Sequence, residues 1–246
     1  MIENKAPGKD VSLEDIKTKF PLAAKEDSHH YSEFEISGIK FGPHYAPIFA
    51  GPNMVESEEL ILDCAKNLKS YGASFLRGGA FKPLTFPYRS DKYNETREQG
   101  IEWLYKAKNK YNIPVITEIM EEKFLPIISE VADILQIGTR NMQNYPLLTA
   151  CAKSGKPIMI KRGFGCSLRD WLGAAEYILL EGNKKVILCE RGVVAPHTHR
   201  ETSRFLLDLQ VIPAAKEITH LPVVTDPSHA TFWRPWVRSM AMASIA

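Results

Sequence analysis

Apolar residues along this chain fall into short, often β-branched runs that alternate with longer stretches of helical period. The runs Pro47 to Ala50, Ser74 to Leu76, Pro114 to Glu118, Ile134 to Ile137, Pro157 to Ile160, Lys185 to Cys189 and Leu221 to Thr225 read as strands. Between them Glu58 to Tyr71, Glu95 to Tyr111, Leu168 to Glu181 and Phe205 to Ile218 carry helical spacing, and Arg234 to Ala246 can form a further helix. Near-continuous apolar strands separated by helices predict a parallel sheet buried on both faces, with right-handed crossovers. Upstream, Ser12-Leu13-Glu14-Asp15 reads as a helix cap and Tyr31 to Phe41 alternates apolar with polar residues. A short helix and hairpin over residues 1–45 are therefore expected to decorate the main unit, residues 46–246.

The polar residues at the end of each run decide between an open, doubly wound sheet and a barrel. Asn53 comes after the first run, Arg77 and Lys82 after the second, Glu118 closes the third and Arg140 comes after the fourth. Lys161 and Arg162 come after the fifth, Glu190 and Arg191 after the sixth, Asp226 and His229 after the seventh. Reactive groups at successive strand ends converge at the mouth of a barrel, whereas an open sheet concentrates its site at one switch point. The expected fold is α/β, a (β/α)8 TIM-type barrel. Only seven strand segments can be counted, and the residues after the seventh hold a helix but no eighth strand. Such a barrel exposes the backbone of its first and last strands, so either a partner covers the gap or the sequence is a fragment.

Composition adds limits. The chain has 246 residues, 44% hydrophobic and 24% charged, an ordinary balance for one globular domain. A net charge of +2 is too small for a nucleic-acid surface, so any anion must be bound locally. No signal-like run opens the chain and no stretch approaches the roughly 18 apolar residues of a membrane span, which makes the cytoplasm the expected location and a membrane an unexpected partner. Cys64, Cys151, Cys166 and Cys189 are scattered, as reduced thiols would be; Cys189 reads as core.

Arg77, Lys82, Arg140, Lys161 and Arg191 would share one cleft, where they repel unless a polyanion neutralises them. Each alone could equally be a surface cation; the repetition favours a small, multiply anionic ligand. Gly78, Gly79, Gly138, Gly163 and Gly192 flank the same cations and allow close backbone approach, although glycine after a strand is also ordinary turn chemistry. Asp226 and His229, one turn apart, could bind a metal, transfer a proton or simply pack. Glu118 and Glu190 could orient a water or hold an arginine, with a salt bridge to Arg77 or Lys161 the plainer role. His197 and His199 read as solvated loop residues, and Lys106, Lys108 and Lys110 as a solvated helix face.

From Ala46 to His229 the chain resembles the 3-deoxy-D-arabino-heptulosonate 7-phosphate (DAHP) synthases, in the subgroup that is also similar to the 3-deoxy-D-manno-octulosonate 8-phosphate synthases. The resemblance is carried by Gly51-Pro52 with Val55-Glu56-Ser57, Leu76-Arg77-Gly78-Gly79-Ala80-Phe81-Lys82-Pro83, and Asp133 to Gly138. Arg140-Asn141-Met142-Gln143-Asn144, Lys161-Arg162-Gly163, Ile187 to Gly192 and Asp226-Pro227-Ser228-His229-Ala230-Thr231 complete it. It implies that Arg77, Lys82, Arg140, Lys161 and Arg191 hold the carboxylate and phosphate of phosphoenolpyruvate, with Pro83, Thr85 and Glu118 also lining the substrate site. Catalytic duty falls by the same resemblance on Lys82, Lys161, Asp226 and His229. The implied reaction joins phosphoenolpyruvate to erythrose 4-phosphate, the first step of aromatic biosynthesis, in a homo-oligomer, dimer or tetramer.

Three departures shape the expectations. Asn53 stands where metal-dependent members carry a Cys. Leu84 replaces an Arg that grips the aldose phosphate, a loss of about 1.5–3 kcal/mol of binding. The Glu and Asp of the family's last strand and loop, which complete its metal site, have no counterpart here, leaving His229 as a remnant ligand. No metal cofactor is therefore expected in this chain, although relatives use a divalent ion. Besides the heptulosonate reaction, two alternatives stand: the same chemistry on another aldose phosphate, and a catalytically impaired phosphoenolpyruvate-binding relative.

Overall fold

The computed structural model describes residues 13–82, 95–195 and 205–246. Helix α1 (Leu13–Lys19) precedes a hairpin of β1 (Phe34–Ile36) and β2 (Ile39–Phe41). Strand and helix then alternate through β3 (Phe49–Ala50), α2 (Glu58–Ser70), β4 (Phe75–Arg77), α3 (Arg97–Tyr111), β5 (Val115–Ile119), α4 (Leu125–Val131), β6 (Ile134–Ile137), α5 (Tyr145–Lys153), β7 (Ile158–Lys161) and α6 (Leu168–Leu180). The remainder is β8 (Val186–Glu190), a small antiparallel pair β9 (Val193–Val194) and β10 (Phe205–Leu206), α7 (Val211–Ile218), β11 (Val223–Thr225), α8 (Pro227–Thr231) and α9 (Arg234–Ile245). Local chemistry sets several of these limits. Ser57 Oγ accepts from Leu60 N at 3.2 Å to start α2, and Ser167 with Asp170 forms a reciprocal capping box on α6.

Strands β3, β4, β5, β6, β7, β8 and β11 lie in that order in one parallel, seven-stranded sheet. It curls into a half-barrel with the helices outside, which bears out the expected TIM-like α/β class. Among the described residues no helix is long and apolar enough to cross a membrane.

Strand alternation sorts the side chains into two apolar layers. Leu76, Val115, Ile119, Leu135, Ile137, Ile158, Ile160, Val186 and Leu188 point outward into the main core, against Trp171 of α6 and the other helices. Phe75, Ile116, Ile134, Met159 and Ile187 point inward, where they meet Ile36 and Phe41 of the hairpin in a second cluster. The hairpin does more than decorate: Phe41, 1% exposed, packs on Phe75 at 5.9 Å between ring centroids and helps fill the floor of the barrel.

One predicted helix starts late. Phe205 and Leu206 pair in β10 with Val194 and Val193, and α7 begins only at Val211. The pairing of Phe205 and Leu206 commits them to extended backbone, and Asp208 Oδ1 accepts from the first helical amide, Val211 N, at 3.3 Å.

Candidate active site

Two residues beyond each inward apolar position, the same face of the same strand turns polar. Phe75 is followed by Arg77, Ile116 by Glu118, Ile134 by Gln136, Met159 by Lys161 and Val224 by Asp226. On β8, Ile187 and Cys189 lead to Arg191. A period of two thus gives the barrel an apolar floor and a charged mouth from one pattern.

At the centre, Lys82 Nζ lies 2.5 Å from Glu118 Oε2, both side chains almost fully buried, and Gln136 Nε2 donates to the same oxygen at 3.3 Å. Burial draws the Lys82 ammonium down from 10.5 to about 8, against the opposing pull of Glu118, and the positive fields of Arg77 and Lys161 push the same way as burial. Burial alone would raise the Glu118 carboxyl, but Lys82, Lys161 and Arg77 together hold it below its ordinary value. Gly138 leaves room for this pair: a Cβ at that position would run into Glu118 Oε1 and force the carboxylate to shift.

A second group sits across the mouth. Lys161 Nζ donates to Asp226 Oδ2 at 2.6 Å, and His229 Nδ1 meets the same oxygen at 2.6 Å. Burial works against ionised Asp226, yet Lys161 and His229 keep it well below the carboxylate range. Burial also pulls His229 down to about 4 in spite of the Asp226 carboxylate, so the imidazole is neutral around physiological pH. Its Nδ1 proton then faces Asp226, leaving the Nε2 lone pair toward the mouth. Arg77 Nη2 lies 3.5 Å from that nitrogen and donates to Asn53 Oδ1 at 2.9 Å.

Arg191 forms the third part. The residue is 6% exposed, its guanidinium lies 5.1 Å over the Phe164 ring and 4.3 Å over Phe205, and Nη1 has no hydrogen-bond partner among the described residues. A buried cationic donor with no acceptor is costly unless an anion supplies one. Arg140, exposed, lies 5.8 Å from the centre of the same Phe164 ring, and its charge acts on Arg191. Gly192, at φ +96°, lets the chain turn directly behind Arg191, with a Cβ there meeting Ala230 and Phe205 at 3.0–3.1 Å.

The structure therefore gathers Arg77, Lys82, Glu118, Lys161, Asp226 and His229 in one mouth, with Arg191 and Arg140 along one wall. Pro83, Leu84, Thr85, His197 and His199 lie outside the described residues. Glu190 holds an arginine, as one of its readings had it, but the arginine is Arg162, whose Nη1 lies 3.1 Å away, and the pair faces away from the mouth because the strand period turns Glu190 to the opposite side from Arg191. Gln136 lies inside the matching block Asp133 to Gly138 but has no assigned role of its own there, while Phe164, Phe205 and Asp208 are not singled out for the site by the sequence, since two rings and a loop carboxylate carry no motif of their own.

A divalent cation needs several donors aimed at one point. Here Asn53 Oδ1 and His229 Nε2, 3.2 Å apart, both face the Arg77 guanidinium, and Asp226 is committed to Lys161 and His229. The described residues contain no group of three or more His, Cys, Asp or Glu side chains arranged to hold a metal. This donor set does not fit a divalent ion.

Fold and mouth together define a (β/α)-barrel protein with a cation-lined cavity. The sequence pattern of the DAHP synthetase I family matches residues 20–246, and the chain belongs to that family. It is 39% identical over 227 residues to phospho-2-dehydro-3-deoxyheptonate aldolase of Thermotoga maritima, covering 92% of this chain and 65% of that protein. It is also 34% identical over 192 residues to 2-dehydro-3-deoxyphosphooctonate aldolase of Pisum sativum, covering 74% of this chain and 62% of that one. The crystal structure of the Thermotoga maritima enzyme superposes with a TM-score of 0.82 at 38% identity, over 91% of this chain and 63% of that chain. A truncated form of DAHP synthase from the same organism gives 0.81 at 37% identity, over 92% and 80%. The chain thus spans slightly less than two thirds of the length of both curated relatives.

Proposed function

We propose that this chain carries the phosphoenolpyruvate site of a DAHP synthase. In that reaction C3 of phosphoenolpyruvate bonds to the aldehyde carbon of erythrose 4-phosphate, water adds at C2, and phosphate departs with its bridging oxygen by C–O cleavage. The observation that carries the reading is Nη1 of buried Arg191, unpartnered among the described residues and set beside Arg140 in a mouth that also holds Arg77, Lys82 and Lys161. Those cations are suited to a ligand with both a carboxylate and a phosphate, and fixed charges that need no reorganisation favour the redistribution of charge between them. Glu118 holds Lys82, whose proton is transferable near neutral pH because burial draws it to about 8. Asp226 orients both Lys161 and His229, leaving His229 Nε2 as a neutral proton acceptor at the mouth. Pro83 and Thr85 are assigned to the substrate site on the resemblance alone. The protein is read as a cytoplasmic homo-oligomer that works without a metal in this part of the site.

Leu84 favours a second reading, the same condensation with another aldose phosphate, and the match to the pea octulosonate enzyme supports it. Phosphate release from phosphoenolpyruvate is the test, run with erythrose 4-phosphate and then a panel of aldose phosphates. Release that depends on erythrose 4-phosphate supports the first reading, and faster release with another acceptor supports the second. Binding of phosphoenolpyruvate with no release for any acceptor leaves the catalytically impaired relative.

A further inference from the structure

Outside the barrel, directly behind the mouth, lies an ion network that the reaction does not use. Arg162, with a side chain 9% exposed, donates through Nη1 to Glu190 Oε2 at 3.1 Å and to Asp208 Oδ2 at 2.7 Å, and through Nε to the Cys166 carbonyl at 2.9 Å. Glu190, whose side chain is 0% exposed, accepts from Gly192 N at 2.6 Å through its other oxygen. Each member is next to a part of the site. Arg162 follows Lys161, Glu190 precedes Arg191, and Asp208 stands three residues after Phe205, whose ring lies against the Arg191 guanidinium.

We propose that Arg162 and Asp208 are positioning residues for the anion site: from outside the barrel they fix the strand end and the aromatic ring that aim Arg191. Strand alternation turns Arg162 and Glu190 away from the cavity, so neither reaches a ligand in the mouth. Glu190 clamps the turn at Gly192 on one side of Arg191. Asp208, tied to Arg162, secures the returning segment that brings Phe205 back on the other side. Arg162 is the common partner of both clamps, and its hold on the Cys166 carbonyl adds the loop that carries Phe164. A side chain aimed by several such contacts keeps its orientation in the empty protein, so a ligand need not order it on binding.

The inference rests on the phosphoenolpyruvate reading only for its choice of ligand. The experiment is a double-mutant cycle on the full chain, with dissociation constants for phosphoenolpyruvate measured by calorimetry for wild type, Asp208→Asn, Arg191→Lys and the double variant. Asp208→Asn should weaken binding about tenfold while Arg191 is present, and by less than about twofold once Arg191 is lysine, because the positioned fork is then gone. An unchanged affinity in Asp208→Asn, or the same loss in both backgrounds, would overturn the proposal, since a purely structural defect acts whatever stands at position 191. Should Asp208→Asn fail to fold, Arg162→Lys takes its place in the cycle under the same criteria. A wild-type protein that binds no phosphoenolpyruvate would remove the functional reading instead, and inorganic phosphate then serves as the probe of Arg191.

Discussion

Glu118→Gln keeps the shape of the side chain that holds Lys82 and removes its charge. In the wild-type protein Lys82 is 8% exposed and drawn from 10.5 to about 8, with burial the largest cause and Glu118 the main force against it. A lowered lysine value means that between about 8 and 10.5 the unfolded chain binds more protons than the folded one, so stability rises with pH across that window. At neutral pH the shift from 10.5 to about 8 corresponds to about 3–4 kcal/mol against folding, at about 1.4 kcal/mol per unit. Without the carboxylate Lys82 falls further, but the cost it adds is bounded. Once its value drops below neutrality the lysine sheds its proton, which caps the total at about 5 kcal/mol. The variant should therefore lose only about 1–2 kcal/mol through Lys82, less than the roughly 3–5 kcal/mol of an ordinary broken buried pair. The larger change is in binding, because a neutral amine no longer attracts an anion. Wild-type affinity for phosphoenolpyruvate should decline above about pH 8, and that of Glu118→Gln should decline at lower pH, close to neutrality. Calorimetric dissociation constants across the neutral-to-alkaline range would show this, and profiles that bend at the same pH in both proteins would refute it.

Gly138→Ala should reproduce the same acid-side displacement of the binding profile, since its Cβ would press on Glu118 Oε1 and lie 2.9 Å from Cδ; an unmoved profile would speak against the packing described. Arg191→Ala removes charge-assisted bonds worth about 1.5–3 kcal/mol, so phosphoenolpyruvate affinity should fall about tenfold to a hundredfold with little change in the urea midpoint. Phe41→Ala empties part of the barrel floor and should cost about 3–5 kcal/mol by urea denaturation, while ligand affinity in the folded protein is retained.

The order of elements was legible because its cause is local. Runs such as Pro157 to Ile160 and Val186 to Cys189 are wholly apolar, and only a strand covered on both faces needs that. The mouth was legible for a related reason: Arg77, Lys161 and Asp226 each stand two residues beyond an inward apolar side chain, and the period of two carries them to one place. The same period misled at Glu190, which is adjacent to Arg191 in sequence and points to the other side of the sheet. The hairpin's part in the floor depends on a tertiary contact between Phe41 and Phe75 that no local pattern encodes. Likewise, the start of α7 turns on whether Phe205 pairs with Val194 or joins the helix, a choice made by the neighbouring strand.

The most direct test of the charged mouth is a calorimetric titration of the full chain with phosphoenolpyruvate, repeated on Lys161→Ala and Arg191→Ala. The account predicts binding by the wild-type protein that each replacement weakens by about tenfold or more. An absence of binding, or an affinity that neither replacement alters, would contradict it.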